Sequence, residues 1–299
     1  IAPEETCRQD RSARVVGMDT GVFPGLARDG APYVKILQRY GTLELNYHPT
    51  DDITATSVSS YYRLNSDSLL NASFSQFAGP AVAVQNPRFR RTDFTQELRM
   101  SSDFDKPLNF TAGAFFQDGQ VSNRVIINGN SLYGLPLTLS DGVNKIGIKT
   151  YSLYGQLRWK IAPKVELAAG ARWADETRKL DTTLFGDIVT LPTPRVHSST
   201  LSPEVTLTYK PSEDFTLFAA YKKAYKSGSF SIATPVVPDV DKAFGDEGVE
   251  GGEAGIKGRV FDRQMNFSLA GYRYTYSGLQ VGALVPVVNS VPLIRTMNA

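Results

Sequence analysis

Apolar and polar side chains alternate along much of this chain. From Lys149 to Ile161 the odd positions are Lys149, Tyr151, Leu153, Gly155, Leu157, Trp159 and Ile161, and the even ones Thr150, Ser152, Tyr154, Gln156, Arg158 and Lys160. A period of two is the mark of a strand with one apolar and one polar face. Val165 to Asp175 repeats it, with Val165, Leu167, Ala169, Ala171 and Trp173 on one face and Glu166, Gly170 and Arg172 on the other. Leu201–Lys210 and Leu108–Gln117 follow, with fainter copies at Leu43–Tyr47, Ile53–Arg63, Phe94–Ser101, Phe215–Lys223 and Met265–Thr275. Ordinary strands run about 5–6 residues, whereas a tilted strand that crosses a bilayer needs about 9–11. The length of these runs favours the second.

The connections alternate as well. Short ones centre on His48–Asp52, Asp103–Pro107, Ala162–Lys164, Pro211–Asp214 and Phe261–Arg263, where Pro presets φ and Asp bonds its own backbone. Their starts, 48, 103, 162, 211 and 261, lie 55, 59, 49 and 50 residues apart. Between them, near 66–91, 119–147, 179–197 and 226–248, the chain is rich in Gly, Asn, Ser and Pro and has no sustained period. The repeat is therefore strand, short turn, strand, long loop. A soluble sandwich has no reason to keep short turns at one end and long loops at the other; an outer-membrane barrel has. A propeller repeats at a similar length but packs four short strands into each blade. Tyr47, Phe104, Trp159, Tyr209 and Phe215 sit in or beside short turns, where an aromatic girdle meets the membrane interface.

Composition agrees. The 299 residues carry 25 glycines and 17 prolines, a turn-rich balance. A formal net charge of +2 offers no footprint for nucleic acid. Mean hydropathy is −0.21, too polar for a bundle of membrane helices. The uncharged run Tyr274–Ile294 is broken by Pro286, Pro292, Gly278 and Gly282, so a spanning helix is not expected there. One cysteine, Cys7, excludes an internal disulfide framework, and His48 and His197 leave little for a metal site. Cys7 reads as incidental, since no signal peptide precedes it, and the start at Ile1 reads as a processed chain or a fragment.

No catalytic constellation is visible. GxSxG and HExxH are absent, and Lys226-Ser227-Gly228 lacks the upstream glycine of a phosphate loop. Glu97, Glu166, Glu204 and Glu253 fall on positions expected to face a wet lumen, as do Arg99, Arg158, Arg172 and Lys257. The cations are expected to pair with the acids across neighbouring strands. Leu153, Leu157, Leu167, Ala169, Leu207 and Leu217 are expected to face lipid. Neither a catalytic residue, nor a cofactor, nor a metal ligand is assigned.

Several segments resemble one family. Thr92-Asp93-Phe94-Thr95-Gln96-Glu97-Leu98-Arg99-Met100-Ser101-Ser102 is similar to a barrel strand of TonB-dependent outer-membrane receptors that reads F-x-Q-E-L-R-x-x-S. Ala220-Tyr221-Lys222-Lys223-Ala224-Tyr225-Lys226-Ser227-Gly228-Ser229-Phe230 resembles their Tyr-x-x-Gly-(Phe/Tyr)-Lys-Ser-Gly-Gly-Phe stretch, departing at Ala224 and Ser229. Glu253-Ala254-Gly255-Ile256-Lys257-Gly258 resembles the E-x-G-x-K strand that follows. Leu279-Gln280-Val281 resembles a D-L-Q hairpin end, with Gly278 in place of the acid, and Arg295–Ala299 the entry to one more strand. The likeness runs from Phe94 to Ala299; residues 1–91 fit by pattern only.

The resemblance implies an all-β, antiparallel, up-and-down transmembrane barrel, of which residues 1–299 hold about ten strands of 22, with the plug domain outside this chain. It implies import of a scarce ligand (siderophore-iron, cobalamin, haem or oligosaccharide) across the bacterial outer membrane, with energy delivered by TonB through a plug segment. The partners expected are outer-membrane lipid, the TonB complex and a small ligand such as an iron chelate. Tyr272, Tyr274 and Tyr276 alternate on one face, with Tyr225 and Phe230 near another extracellular end; these are the candidates to stack on a flat ligand, an upper aromatic girdle being the other reading. A passive porin and a soluble all-β carbohydrate-binding module stand as alternatives.

Overall fold

The structure is a computed structural model that describes residues 18–71, 81–233, 235–238, 240–285 and 293–299. Cys7 lies outside the described residues, as do Pro286 and Pro292. The strands are β1 (Tyr33–Thr50), β2 (Ile53–Asn71), β3 (Ala83–Ser102), β4 (Leu108–Gly129), β5 (Ser140–Ala162), β6 (Val165–Leu184), the two-residue β7 (Asp187–Ile188), β8 (Arg195–Ser212), β9 (Phe215–Lys226), β10 (Ser229–Phe230), β11 (Ala243–Phe244), β12 (Glu247–Val260), β13 (Met265–Ser277), β14 (Gln280–Val285) and β15 (Leu293–Asn298). No described helix is long and apolar enough to cross a membrane, which says nothing of crossing by strands.

One antiparallel sheet runs β1-β2-β3-β4-β5-β6-β8-β9-β12-β13, with β7 on the edge of β6. Ten of its strands form an unbroken meander, each paired with the next in sequence. β1 and β13 are its two edges and do not pair, so the sheet is an open wall and not a closed barrel. An open edge in lipid leaves backbone donors and acceptors unpaired, which is why strands taken from a wide barrel need the remainder of its wall. β14 and β15 form a ribbon of their own beyond the end of β13.

Register confirms the two faces. Ala114 on β4 pairs with Leu153 on β5, and Leu153 with Trp173 on β6, so these three side chains point the same way. Leu157, Ala169 and Val205 form another such row, and Trp159, Leu167 and Leu207 a third. The alternation on β5 is sharp: Ser152 is 2% exposed and Leu153 59%. Tyr47, Trp159, Tyr209 and Phe215 share the outward face near the short turns, and Phe215 meets Phe267 at 6.2 Å. Higher on that face Tyr61 pairs with Phe94, and Phe116 stacks on Tyr151 at 5.2 Å. Eight residues separate Tyr151 from Trp159, about 27 Å of strand before tilt, which matches an apolar band of about 25 Å.

All five short turns fall where the alternation placed them, but the long connections are shorter than expected. β2 continues to Asn71, β4 to Gly129 and β6 to Leu184, with partners β3, β5 and β8 beginning at Ala83, Ser140 and Arg195. Beyond the membrane band neither face has to be apolar, so the ladder continues after the alternation has faded. Buried side chains form two clusters on this wall. Met18, Phe23, Leu69, Ala81 and Val84 close the outer end of β2 and β3, and Val121, Ile146, Ile148, Leu180 and Phe230 lie on the inward face.

Candidate functional site: the inward face and the segment folded onto it

Midway up the wall, the inward face is a polar network built over glycines. Gln156 on β5 pairs with Gly170 on β6, and Gly170 pairs with Glu204 on β8. With no side chain at Gly170, the Gln156 amide passes over β6 and donates to Glu204 Oε1 at 2.8 Å. A Cβ at Gly170 would lie 3.1 Å from Gln156 Cβ. The same device recurs two strands away: Tyr154 lies across Gly113 of β4 and donates to Glu97 of β3, and a Cβ at Gly113 would meet the Tyr154 ring at 2.5 Å. Lys222 donates to Glu253 at 3.0 Å. Glu97, Tyr154, Gln156, Glu204 and Lys222 line an open hollow of about 570 Å³ that also takes in Arg99, Arg172 and Ser202.

The expected pairing of Arg99, Arg158, Arg172 and Lys257 with the acids is not found: none of the four makes an ion pair among the described residues, and the cation that does pair, Lys222, is not among them. Arg172 donates to Ser152 Oγ at 2.6 Å and stacks over Phe115 and Tyr154, at 5.3 and 5.8 Å. Lys257 lies over the Phe218 ring at 5.5 Å. Inward-facing aromatics offer these cations a ring face, which a reading limited to opposite charges overlooks.

Above this hollow the chain covers itself. After β9 the described residues 227–233, 235–238 and 240–246 turn inward and lie on the upper inward face. Phe230 is 4% exposed and packs among Val121, Ile146, Ile148 and Leu180. The entry is pinned by Ser227, which donates to Glu176 Oε1 at 2.6 Å and accepts from Arg178 at 3.0 Å. The exit is pinned by Asp246, whose Oδ1 accepts from Ser198 Oγ at 2.5 Å and from Gly228 N at 2.7 Å. Between them, Asn123 donates to Ile232 O at 2.7 Å, and Lys242 donates to Asn144 Oδ1 at 3.1 Å. Lys242 is 4% exposed and has no carboxylate partner among the described residues. Burial, and then the charge of Arg295, push its pKa down to about 8.

The five candidate ligand contacts separate. Tyr272 and Tyr276 pair with Glu253 and Val249, and Tyr274 with Gly251, which puts all three on the inward face beside Lys222. Tyr272 and Tyr274 stand 6.1 Å apart. An outward girdle does not describe them. Tyr225 lies on the other face, in phase with Tyr221 and Leu217, and Phe230 is enclosed in the inward cluster. Sequence reasoning missed the inward course of 227–246. Its signal was present: Ile146 and Ile148 stand on the face of β5 that is otherwise Ser152, Tyr154, Gln156 and Arg158. An apolar pair on a wet face needs a cover.

Long strands, outward aromatics at two heights, an apolar outer face and a polar inner face are the build of an outer-membrane β-barrel wall. The chain belongs to the TonB-dependent receptor-like β-barrel family, whose pattern matches residues 9–295. The ferric yersiniabactin uptake receptor FyuA of Yersinia pestis superposes with a TM-score of 0.70 at 16% identity, over 89% of this chain and 40% of that one. The siderophore receptor PiuA of Acinetobacter baumannii gives 0.62 at 16%, over 81% and 40%. The ferric-catecholate import receptor Fiu of Escherichia coli K12, in its open form, gives 0.61 at 14%, over 87% and 47%. At these identities the likeness concerns the fold, and this chain spans less than half of each receptor. No curated protein matches it in sequence. Receptors of this family are bacterial outer-membrane transport proteins, not enzymes.

Proposed function

We propose that this chain forms part of the wall of an outer-membrane receptor that binds a scarce small molecule and imports it with energy delivered by TonB. The observation that carries the reading is the inward face: a polar network with an open hollow, capped from above by the receptor's own 227–246 segment. An iron chelate is the ligand class we favour. Three solved relatives are named as receptors for such chelates, and Tyr272, Tyr274 and Lys222 together offer rings and a cation to a flat anionic ligand. The partners in this reading are outer-membrane lipid, TonB acting through a plug segment, and the chelate.

The test is uptake of radiolabelled ferric chelates, cobalamin and haem by cells that carry or lack the intact protein. Each is measured with and without TonB. Uptake of one chelate that needs both the protein and TonB is the expected result. Diffusion of small sugars at the same rate with or without TonB would indicate a porin.

A further inference from the structure

Where the 227–246 segment lies on β5, hydrogen-bond donors gather without an acceptor. Lys242 and Asn144 are 4% and 1% exposed. Asn144 Oδ1 accepts from Lys242 Nζ at 3.1 Å and from Thr182 Oγ1 at 2.9 Å. Those two donors fix the orientation of the amide, and its Nδ2, on the other side, finds no acceptor. An ammonium carries three N–H donors, of which the described residues take up one. Arg295 on β15 adds a further donor, since its Nε is buried and has no hydrogen-bond partner. β15 is brought to this place by Thr296 N, which donates to Ser231 Oγ at 3.2 Å, while Ser231 N donates to Lys242 O at 2.8 Å.

The charge is as lopsided as the hydrogen bonding. Among the described residues, the charge that acts on Lys242 is a second cation, Arg295. The carboxylates around them are spent elsewhere. Asp241 accepts from Thr193 Oγ1 at 2.9 Å and from Ala243 N at 3.0 Å, Asp246 from Ser198 and Gly228, and Glu176 from Arg178 and Ser227. Asp239 lies outside the described residues. A buried charge is retained when it is paired, and water accepts hydrogen bonds but brings no charge. The place is also tight. A Cβ on Gly142, two residues from Asn144 on the same face of β5, would lie 2.5 Å from Val236 Cγ2 of the segment. A monatomic anion needs about the room of one water and takes N–H donors from any direction; a polyatomic one needs more.

We infer that Lys242, Asn144 and Arg295 hold a chloride-sized anion between the 227–246 segment and the wall. The three come from different parts of the chain, namely the segment, β5 and β15, so the anion ties the segment to the wall and to the β14–β15 ribbon at once. An anion that binds only the docked arrangement favours docking by a factor of one plus its concentration over its dissociation constant. It also holds the proton on Lys242, so the lowered pKa of that residue belongs to the anion-free protein. The inference is independent of what the receptor transports.

The intact protein in detergent is crystallised from sodium bromide, and hydrogen exchange of 227–246 is followed as chloride replaces gluconate at constant ionic strength. Heat-modifiable gel mobility reports barrel folding. An anomalous bromide peak in contact with Lys242 Nζ and Asn144 Nδ2 is expected. Protection of the segment is expected to be about elevenfold higher at a chloride concentration ten times the dissociation constant than in gluconate, with the lower half of β5 unchanged. Lys242→Met is expected to lose both the peak and the chloride response with its gel shift intact. Arg295→Gln should weaken anion affinity by about tenfold, and Lys106→Gln, at a short turn far from the segment, should change nothing. If Lys242→Met does not fold, Arg295→Gln and the parent's own response decide the matter. A parent with neither peak nor response overturns the site, and a gain of both by Asp239→Asn in that case identifies Asp239 as the counter-charge. A peak without a change in protection is an adventitious ion only and overturns the inference, as does a chloride response undiminished in folded Lys242→Met. A parent without a gel shift fails the membrane reading itself, whereas one that shifts without responding to halide fails this inference.

Discussion

Two stretches of the same inward face are built on opposite rules. On the upper part of β5, Asn144, Ile146 and Ile148 are buried, and the segment bearing Phe230 and Lys242 lies over them. Lower on the same strand, Tyr154 and Gln156 face an open hollow and donate across glycines to Glu97 and Glu204. Strand pairing, pleat and direction are the same in both; only the covering differs. A face that the chain itself covers gains by burying apolar groups, because water leaves for good. A face left to water or to another domain has to satisfy its polar groups within the wall. One strand thus carries a core above and a wet surface below, with side chains turning polar between Ile148 and Thr150 and the face opening between Ser152 and Tyr154.

The sharpest way to break this comparison is Phe230→Ala. Truncating a buried Phe costs about 3–5 kcal/mol, and most of that loss falls on the docking of 227–246 while the wall stays paired. Hydrogen exchange of that segment is expected to rise far more than exchange of β5 and β6; unchanged protection would show that Phe230 does not hold it. The next test sets the outward face against the inward one at adjacent residues. Leu157→Arg puts a charge in the apolar band and is expected to destabilise the barrel by about 2–4 kcal/mol, read as reduced heat-modifiable assembly of the intact protein. Gln156→Arg, one residue away on the wet face, should assemble normally. Equal assembly of the two would contradict the assignment of faces.

The third prediction uses Lys242. Its pKa when docked is about 8, below the ordinary 10.5 that it regains once the segment is released. Between those values the released state binds more protons, so docking strengthens as pH rises through that window and is weakest, at a constant level, below it. The gain is at most roughly 3 kcal/mol at the top of the window. Protection of 227–246 from protease should therefore increase from pH 8 to pH 10, and Lys242→Met should flatten the profile. A profile in the variant as steep as in the parent would show that another group is responsible. The smallest effect is expected in the hollow. Gln156→Ala removes one exposed hydrogen bond to Glu204 and should cost within about 1 kcal/mol, leaving thermal assembly unchanged within error while altering ligand affinity if the hollow takes part in binding.

Much of the wall was legible in the residues because a barrel strand obeys a local rule. Leu153 and Trp159 face outward and Arg158 and Glu204 inward by parity alone, and parity needs no knowledge of distant parts of the chain. The five short turns were legible for the same reason: Pro163 and Asp214 act within a few residues of themselves. The candidate ligand contacts were legible only in part. Tyr272, Tyr274 and Tyr276 share a face whatever their neighbours do, but which face depends on the partner strand, and β12 brings Lys222 and Glu253 to their side. Tyr225 and Phe230 stand five residues apart in sequence, yet one remains on the outward face of β9 and the other turns into the inward cluster.

The alternating pattern and turn chemistry of the sequence by themselves determined an antiparallel meander with one apolar and one polar side, because each strand's faces follow from a period of two and each reversal from its own residues. Only the tertiary structure decided what the wet side carries. The inward course of 227–246, the burial of Lys242 and the bridges over Gly113 and Gly170 all join residues 48 to 109 positions apart or depend on the exact register of two strands. Register is a property of the pair, and a one-residue slip sends every side chain to the other face; no single strand contains that information.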